Sequence, residues 1–190
     1  LVTSAVLARV AGGAGWLRGG DHKHRDRQHL YQGTAVGLRW KRGAKAQAIG
    51  PSRGGQTTKI HVLTDTIGRP FALTLTPGNI ADVTVAPALL ERAGKARYVL
   101  ADKGYDGDAI RDALLMQAIV PVIPPRSNRR APANCDYRAY RDRNRIERMF
   151  NRLKQFRRIA TRYDKTAKSF LGFLCLAAAK LWMPSFVNRA

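Results

Sequence analysis

The chain reads as an α/β domain, one mixed sheet covered by helices, and three observations predict it. Beyond about residue 50, β-rich runs and helical stretches follow in the order β-β-α-β-α-β-α-α. A length of 190 residues suffices for one domain with a sizeable core. No internal repeat divides the pattern.

Residues 1–43 include GGDHKHRDRQHLYQGTAVGLRWKRG, which has neither a helical nor a strand period, and are read as irregular, out of frame or disordered. Residues 44–183 form the ordered domain and 184–190 a tail. TKIHVLT and FALTLT are two β-rich runs joined by the turn-forming DTIGRP, hence a hairpin. PGN then breaks the chain, and Asp82 is placed to cap a helix through roughly Leu90, ended by Gly94. RYVLAD is a short apolar strand stopping at Asp102. KGYDGD is a loop, with Asp106 or Asp108 capping a helix to about Ala118. VPVIPP is a further strand whose prolines place it at an edge or a strand end. Two helices close the chain, roughly Asp136 to Phe156 and Ala167 to Trp182.

The formal charge of +21 and pI near 11.2 point to a polyanionic partner, in the first place nucleic acid. Binding to a membrane surface would normally use one basic amphipathic helix, not charge spread through a mixed fold. Cys135 and Cys175 are isolated and lack metal-ligand spacing, which speaks for a reducing compartment and against zinc. FLGFLCLAAAKLW is too short to span a membrane and carries Lys180. The opening LVTSAVLARVAGGAGWL is interrupted by Arg9 and has no clean cleavage pattern. The expectation is a soluble, cytoplasmic protein.

Two carboxylates stand out against this basic background. In YRDRNRIERMFNRLKQF, Tyr140, Arg143, Glu147 and Lys154 fall on one helical stripe about 60° wide, beside the apolar Ile146, Phe150 and Leu153. Glu147 would serve equally as the partner of Arg143 in an ordinary i,i+4 salt bridge. Asp102 ends a strand before a Gly-containing loop, the usual ligand edge of an α/β sheet, where it could also simply cap local amides. Together, a strand-end Asp and a helix Glu within a basic protein match what phosphoryl transfer on DNA requires. Carboxylates bind Mg²⁺ or Mn²⁺, and the cations around them hold phosphates.

Tyr140-x2-Arg143-x3-Glu147-x6-Lys154 resembles the Y-R-E-K signature of DDE-type insertion-sequence transposases. GGQTTKIHVLTD, LTPGNIADV, VLADKGYDGD, VIPPRSNRR and RNRIERMFNRLKQFRRIATRYDK are similar, in order, to bacterial insertion-sequence family five over about residues 44 to 183. The resemblance implies a ribonuclease-H-like fold, three metal-binding acids and cut-and-join chemistry on double-stranded DNA, both transposon ends and target. It makes Asp102 the second acid and Glu147 the third, both metal ligands. Tyr140, Arg143 and Lys154 become DNA contacts, and pairing two element ends implies a homodimer. A non-catalytic basic DNA-binding regulator of transposition is the alternative, and the fifteen Lys and Arg against four acids from Arg126 to Lys168 serve both readings.

The family's first acid should end a strand shortly before TKIHVLT, and no such strand is legible there. Asp21 and Asp26 lie in the irregular segment, Asp65 in the hairpin turn and Asp82 at a helix start, so none is assigned. The expected fold is therefore a ribonuclease-H-like sheet with its first strand missing, leaving unpaired neighbours, marginal stability and no strand transfer by this chain alone. Codons for Asp26 to Thr34 can be chosen so that another frame reads Thr-Asp-Ser-Ile-Tyr-Ile-Lys-Ala. Trp40 to Gly43 can be encoded by a purine run suited to ribosomal slippage. The chain is thus expected to be the second frame of a two-frame element. Its nucleotide sequence checks this: codons that forbid the Asp-Ser reading remove the two-frame origin.

Overall fold

The run from Thr57 to Thr64 carries apolar side chains toward both faces, as a strand covered on two sides must. The computed structural model describes residues 2–10, 43–52, 55–93 and 96–183, with the backbone alone for 2–10, 44 and 45. It places this run in a six-stranded mixed sheet. The strands are β1 (Val2–Val10), β2 (Gly50–Ser52), β3 (Gly55–Thr64), β4 (Pro70–Pro77), β5 (Ala96–Ala101) and β6 (Val120–Val122). β3 and β4 form the expected antiparallel hairpin, while β5 and β6 run parallel.

The expectation of a missing first strand is corrected here. Val2–Val10 lies between β3 and β5, parallel to β3 from Val2↔Lys59 to Leu7↔Thr64 and antiparallel to β5 from Val6↔Ala101 to Val10↔Ala96. Its backbone pairs the edges that an empty place would leave open, so the argument for marginal stability from unpaired strands does not hold for this arrangement. Residues 2–10 are thus not irregular. The rest of the segment up to 42, with Asp21 and Asp26, and the tail 184–190 lie outside the described residues.

The helices are α1 (Gly43–Ala46), α2 (Ala86–Leu90), α3 (Asp108–Met116), α4 (Tyr137–Tyr140), α5 (Asn144–Lys154), α6 (Arg157–Ala160) and α7 (Ala167–Trp182). Strand alternation divides the core between two faces. Leu63, Val99 and Ala101 pack with Leu89, Leu90, Ile110 and Leu114 of α2 and α3. Ile60, Val62 and Leu100 pack with Ile146, Met149, Phe150 and Leu153 of α5 and with Phe170 and Leu174 of α7. Among the described residues, no helix is long and apolar enough to cross a membrane.

Three local expectations change. Residues 82–93 form a 3-10 turn (Asp82–Thr84), α2 and a second 3-10 turn, and the Asp82 side chain makes no cap. Gly107, not an aspartate, is the N-cap of α3, because Asp106 is drawn into an ion cluster. The stretch from Asp136 is α4, a 3-10 turn (Arg141–Arg143) and α5 ending at Lys154, started by the Asp136 carboxylate accepting from the amides of Arg138 and Ala139.

Buried on the α2 and α3 side of β3, the His61 ring lies between the Tyr105 hydroxyl (Nδ1, 3.1 Å) and Thr76 Oγ1 (Nε2, 2.8 Å). Burial lowers its pKa to about 4, with Asp82 opposing and Lys59 reinforcing the shift. The unfolded chain, titrating near 6.5, takes up this proton first, so stability is lost as pH falls from about 6.5 to about 4. The full loss amounts to about 3 kcal/mol. Urea unfolding across that window should show this loss, and His61→Gln should remove it from the pH profile.

Candidate active site

Strand parity decides which way Asp102 faces. Leu100 belongs to the core beneath α5, and Asp102, two residues on and still extended (φ −76°, ψ 170°), continues toward the same side. The chain then turns through Lys103–Tyr105, and Asp102 Oδ1 accepts from the Gly104 amide at 2.8 Å. Burial raises the Asp102 pKa, the Gly104 amide offsets part of this, and nearby Asp82 raises it further. Arg143 and Lys103 lower it by their charge without forming an ion pair.

A second carboxylate locks this loop. Buried Asp106 accepts from Arg111 Nε at 2.8 Å, Arg129 Nη1 at 3.0 Å and the Arg126 amide at 2.8 Å. Its own burial would raise its pKa, but these donors hold it below the ordinary value. Arg126 returns to the loop through hydrogen bonds to the carbonyls of Lys103 (3.1 Å) and Gly104 (2.8 Å). The VIPPRSNRR stretch thereby closes over KGYD.

Across from the loop, Arg143 bonds Glu147 Oε1 at 2.5 Å. Both ordinary alternatives drawn from the sequence are therefore realised: the i,i+4 salt bridge and the Asp cap. They do not exclude a shared site, because the same Arg143 acts electrostatically on Asp102 and on Tyr140. Tyr140 is half-buried, and its hydroxyl pKa is pushed up by burial, lowered by Arg143 and raised by Asp102 and Glu147. Its ring lies 5.5 Å from the Arg143 guanidinium carbon. Asp102, Tyr140, Arg143 and Glu147 thus share one neighbourhood. Lys154 is exposed on the same stripe, with no hydrogen bond or ion pair to a described residue.

Sequence reasoning missed Lys59 and Asp82. Lys59 Nζ bonds the Ile80 carbonyl at 2.7 Å and Asp82 Oδ1 at 3.0 Å. Asp82 Oδ2 and Asp102 Oδ1 face the same bare side of Gly104, 2.7 and 2.8 Å from where a Cβ would stand. Asp82 was set aside as a helix start, and no local pattern reveals that β3 carries Lys59 to it.

The donor chemistry fits a hard divalent ion in part. Asp102 is a carboxylate without an ion pair to a described residue, in a chain of net charge +21, and Glu147 is exposed. Among the described residues no three His, Cys, Asp or Glu form a group able to hold a metal. Mg²⁺ needs no such group, since one or two carboxylates with waters and substrate phosphates commonly complete its shell.

A family model described as Transposase DDE domain matches residues 23–182. A Brucella ovis protein named as transposase for insertion sequence element IS6501 is 40% identical over 131 residues, 67% of this chain and 98% of that protein. A Burkholderia cepacia protein named as transposase for insertion sequence element IS402 is 32% identical over 130 residues, 63% of this chain and 59% of that protein. No solved structure matches the chain significantly.

Asp106→Asn leaves the buried Arg111 without its counter-charge, and the expected cost is about 3 kcal/mol. Chemical denaturation measures this, and amide exchange at Lys103–Tyr105 should accelerate with it.

Proposed function

The chain belongs to the DDE transposase domain family, and on that premise we propose that it serves DNA transposition. In this reading Asp102 and Glu147 take part in metal-dependent cleavage and strand transfer at insertion-sequence ends. The single observation supporting it is the double engagement of Arg143, bonded to Glu147 and electrostatically coupled to Asp102. A strand-end acid and a helix acid that both feel one guanidinium are suited to face one phosphate.

Asp102 and Glu147 would hold Mg²⁺ or Mn²⁺, which supplies Lewis-acid stabilisation of the attacking and leaving oxygens. The side chains supply the rest. Arg143, drawn from Glu147, and exposed Lys154 are suited to the phosphates flanking the scissile bond. Tyr140 keeps its proton and offers a neutral ring to an unstacked base. The Lys59–Asp82 pair limits the negative charge beside Asp102, so that an incoming phosphate is not repelled. The four residues from Tyr140 to Lys154 constitute the Y-R-E-K signature of insertion-sequence family five. Two copies of the catalytic unit would join the two element ends, in the cytoplasm where the DNA resides.

The two-frame origin belongs to the same proposal. Val2–Val10 contains no Asp or Glu, so β1 adds no carboxylate beside Asp102. An upstream frame would bring the first acid. The family match starts at residue 23, inside the segment read as out of frame, and the nucleotide sequence decides between a recoded and a divergent N-terminal part. The same lack of an acid in β1 favours a second reading, a DNA-binding regulator that occupies element ends without cutting them.

Glu147→Gln, made in the chain joined to its upstream frame, separates the readings. Cleavage of element ends in Mg²⁺ should fall by about a hundredfold or more. Binding of the same duplex in EDTA should be kept or tightened, since a negative charge near phosphate has gone. Unchanged cleavage defeats the catalytic reading, and no cleavage before the substitution favours the regulator.

A further inference from the structure

The two flanks of α5 are chemically different. At about 100° per residue, Arg145, Arg148 and Arg152 form a stripe on the flank away from Arg143 and Glu147, with the buried Ile146, Met149, Phe150 and Leu153 between them. This arginine stripe meets the β3–β4 turn. Gly68 (φ +86°) permits the approach, because a Cβ there would stand 3.1 Å from the Arg145 carbonyl. Turn and helix border a half-open cavity of about 230 Å³, lined by Arg69, Arg145, Arg148 and Arg152 with Met149 and Leu181.

Two of these arginines are fixed by the fold. The Arg69 guanidinium stacks 3.9 Å from the Trp182 ring centroid and bonds Asp65, and Trp182 donates to the Pro70 carbonyl at 2.7 Å. Arg145 donates to the Thr66 carbonyl and lies 3.6 Å from Asp142. Arg148 and Arg152 have no hydrogen bond or ion pair to a described residue, although like charges one turn apart destabilise a helix. Four arginines thus line one cavity, with Asp65 bonded to one of them and Asp142 beside another.

We infer that this cavity is an anion site that holds a backbone phosphate of duplex DNA, separate from the phosphate at Asp102 and Glu147. Forked guanidinium groups match phosphate oxygens, and the apolar floor strengthens the pairing by excluding water. The two stripes lie about 10 Å apart across α5, roughly three base-pair steps along a duplex. The helix would therefore sit over the backbone with one flank at the reacting phosphate and the other gripping a neighbour. This inference rests on the DNA reading for its ligand only, not on the chemistry at Asp102.

The test measures binding of a short DNA duplex by the full chain in EDTA, from about 50 to about 200 mM salt. For Arg148→Ala with Arg152→Ala, the slope of log affinity against log salt should shrink by about 1 to 2, near 0.9 for each phosphate released. The matched removal of two charges elsewhere, Arg92→Ala with Arg97→Ala, should change it by less than half as much. Arg148→Lys with Arg152→Lys should keep the slope but weaken binding several-fold, since the forked bonds are lost. An unchanged slope in the alanine pair, an equal change in the control pair, or an effect on duplex RNA alone overturns the site. Because the assay contains no divalent ion, its result is independent of the Glu147→Gln cleavage experiment.

Discussion

The Asp106 ion cluster is the constraint on which the rest of the site depends. A sheet edge by itself does not fix the loop that leaves it, and Asp102 sits on the first residue of such a loop. Asp106 ties that loop to α3 through Arg111 and to the segment after β6 through Arg129 and the Arg126 amide. Arg111 also bonds the Ile123 carbonyl at 2.7 Å, so the cluster closes on backbone as well as on charge. Burying such a pair contributes little net stability, because desolvation offsets most of the attraction. What it supplies is a single geometry: Gly104 beneath two carboxylates and Tyr105 against His61.

Charge is distributed so that most acids are already occupied. With 34 basic and 13 acidic residues, a carboxylate can find a cation almost anywhere. Asp65, Asp82, Asp106, Asp108, Asp142, Glu147 and Asp164 each pair with Lys or Arg. Asp102 forms no ion pair with a described residue, and its nearest charged influences include another carboxylate. Around Asp102, two of the neighbouring cations are held by other acids. Lys59 is engaged by Asp82, and Arg143 by Glu147.

Local signals in the sequence made most of the fold legible. Alternation and the DTIGRP turn mark the β3–β4 hairpin, and the apolar run from Phe170 marks most of α7. Helical spacing likewise brings Arg143 and Glu147 together, and a strand ending at Asp102 follows from RYVLAD. What stayed hidden involves competition for one side chain or contact between distant segments. Asp106 is a good N-cap residue by type, yet three donors outcompete the cap. Asp82 looks like a helix start, yet Lys59, 23 residues earlier, takes its carboxylate. VTSAVLARV lacks the regular alternation that marks the other strands, so its place in the sheet was not legible.

The direction of β1 carries the argument about the site one step further. A strand leading through a hairpin into β3 would be antiparallel to it, whereas β1 is parallel to β3, so the two are not the arms of one hairpin. The Val6↔Ala101 pairing brings the first residues of β1 level with Asp102, one strand spacing of about 4.8 Å away. That is the position from which a further carboxylate would stand beside Asp102, and Val2–Val10 contains none. Asp82 approaches Asp102 from the opposite layer, but its charge is committed to Lys59. Backbone pairing satisfies hydrogen bonds whatever the side chains are, so this place in the sheet can be filled structurally without being filled chemically.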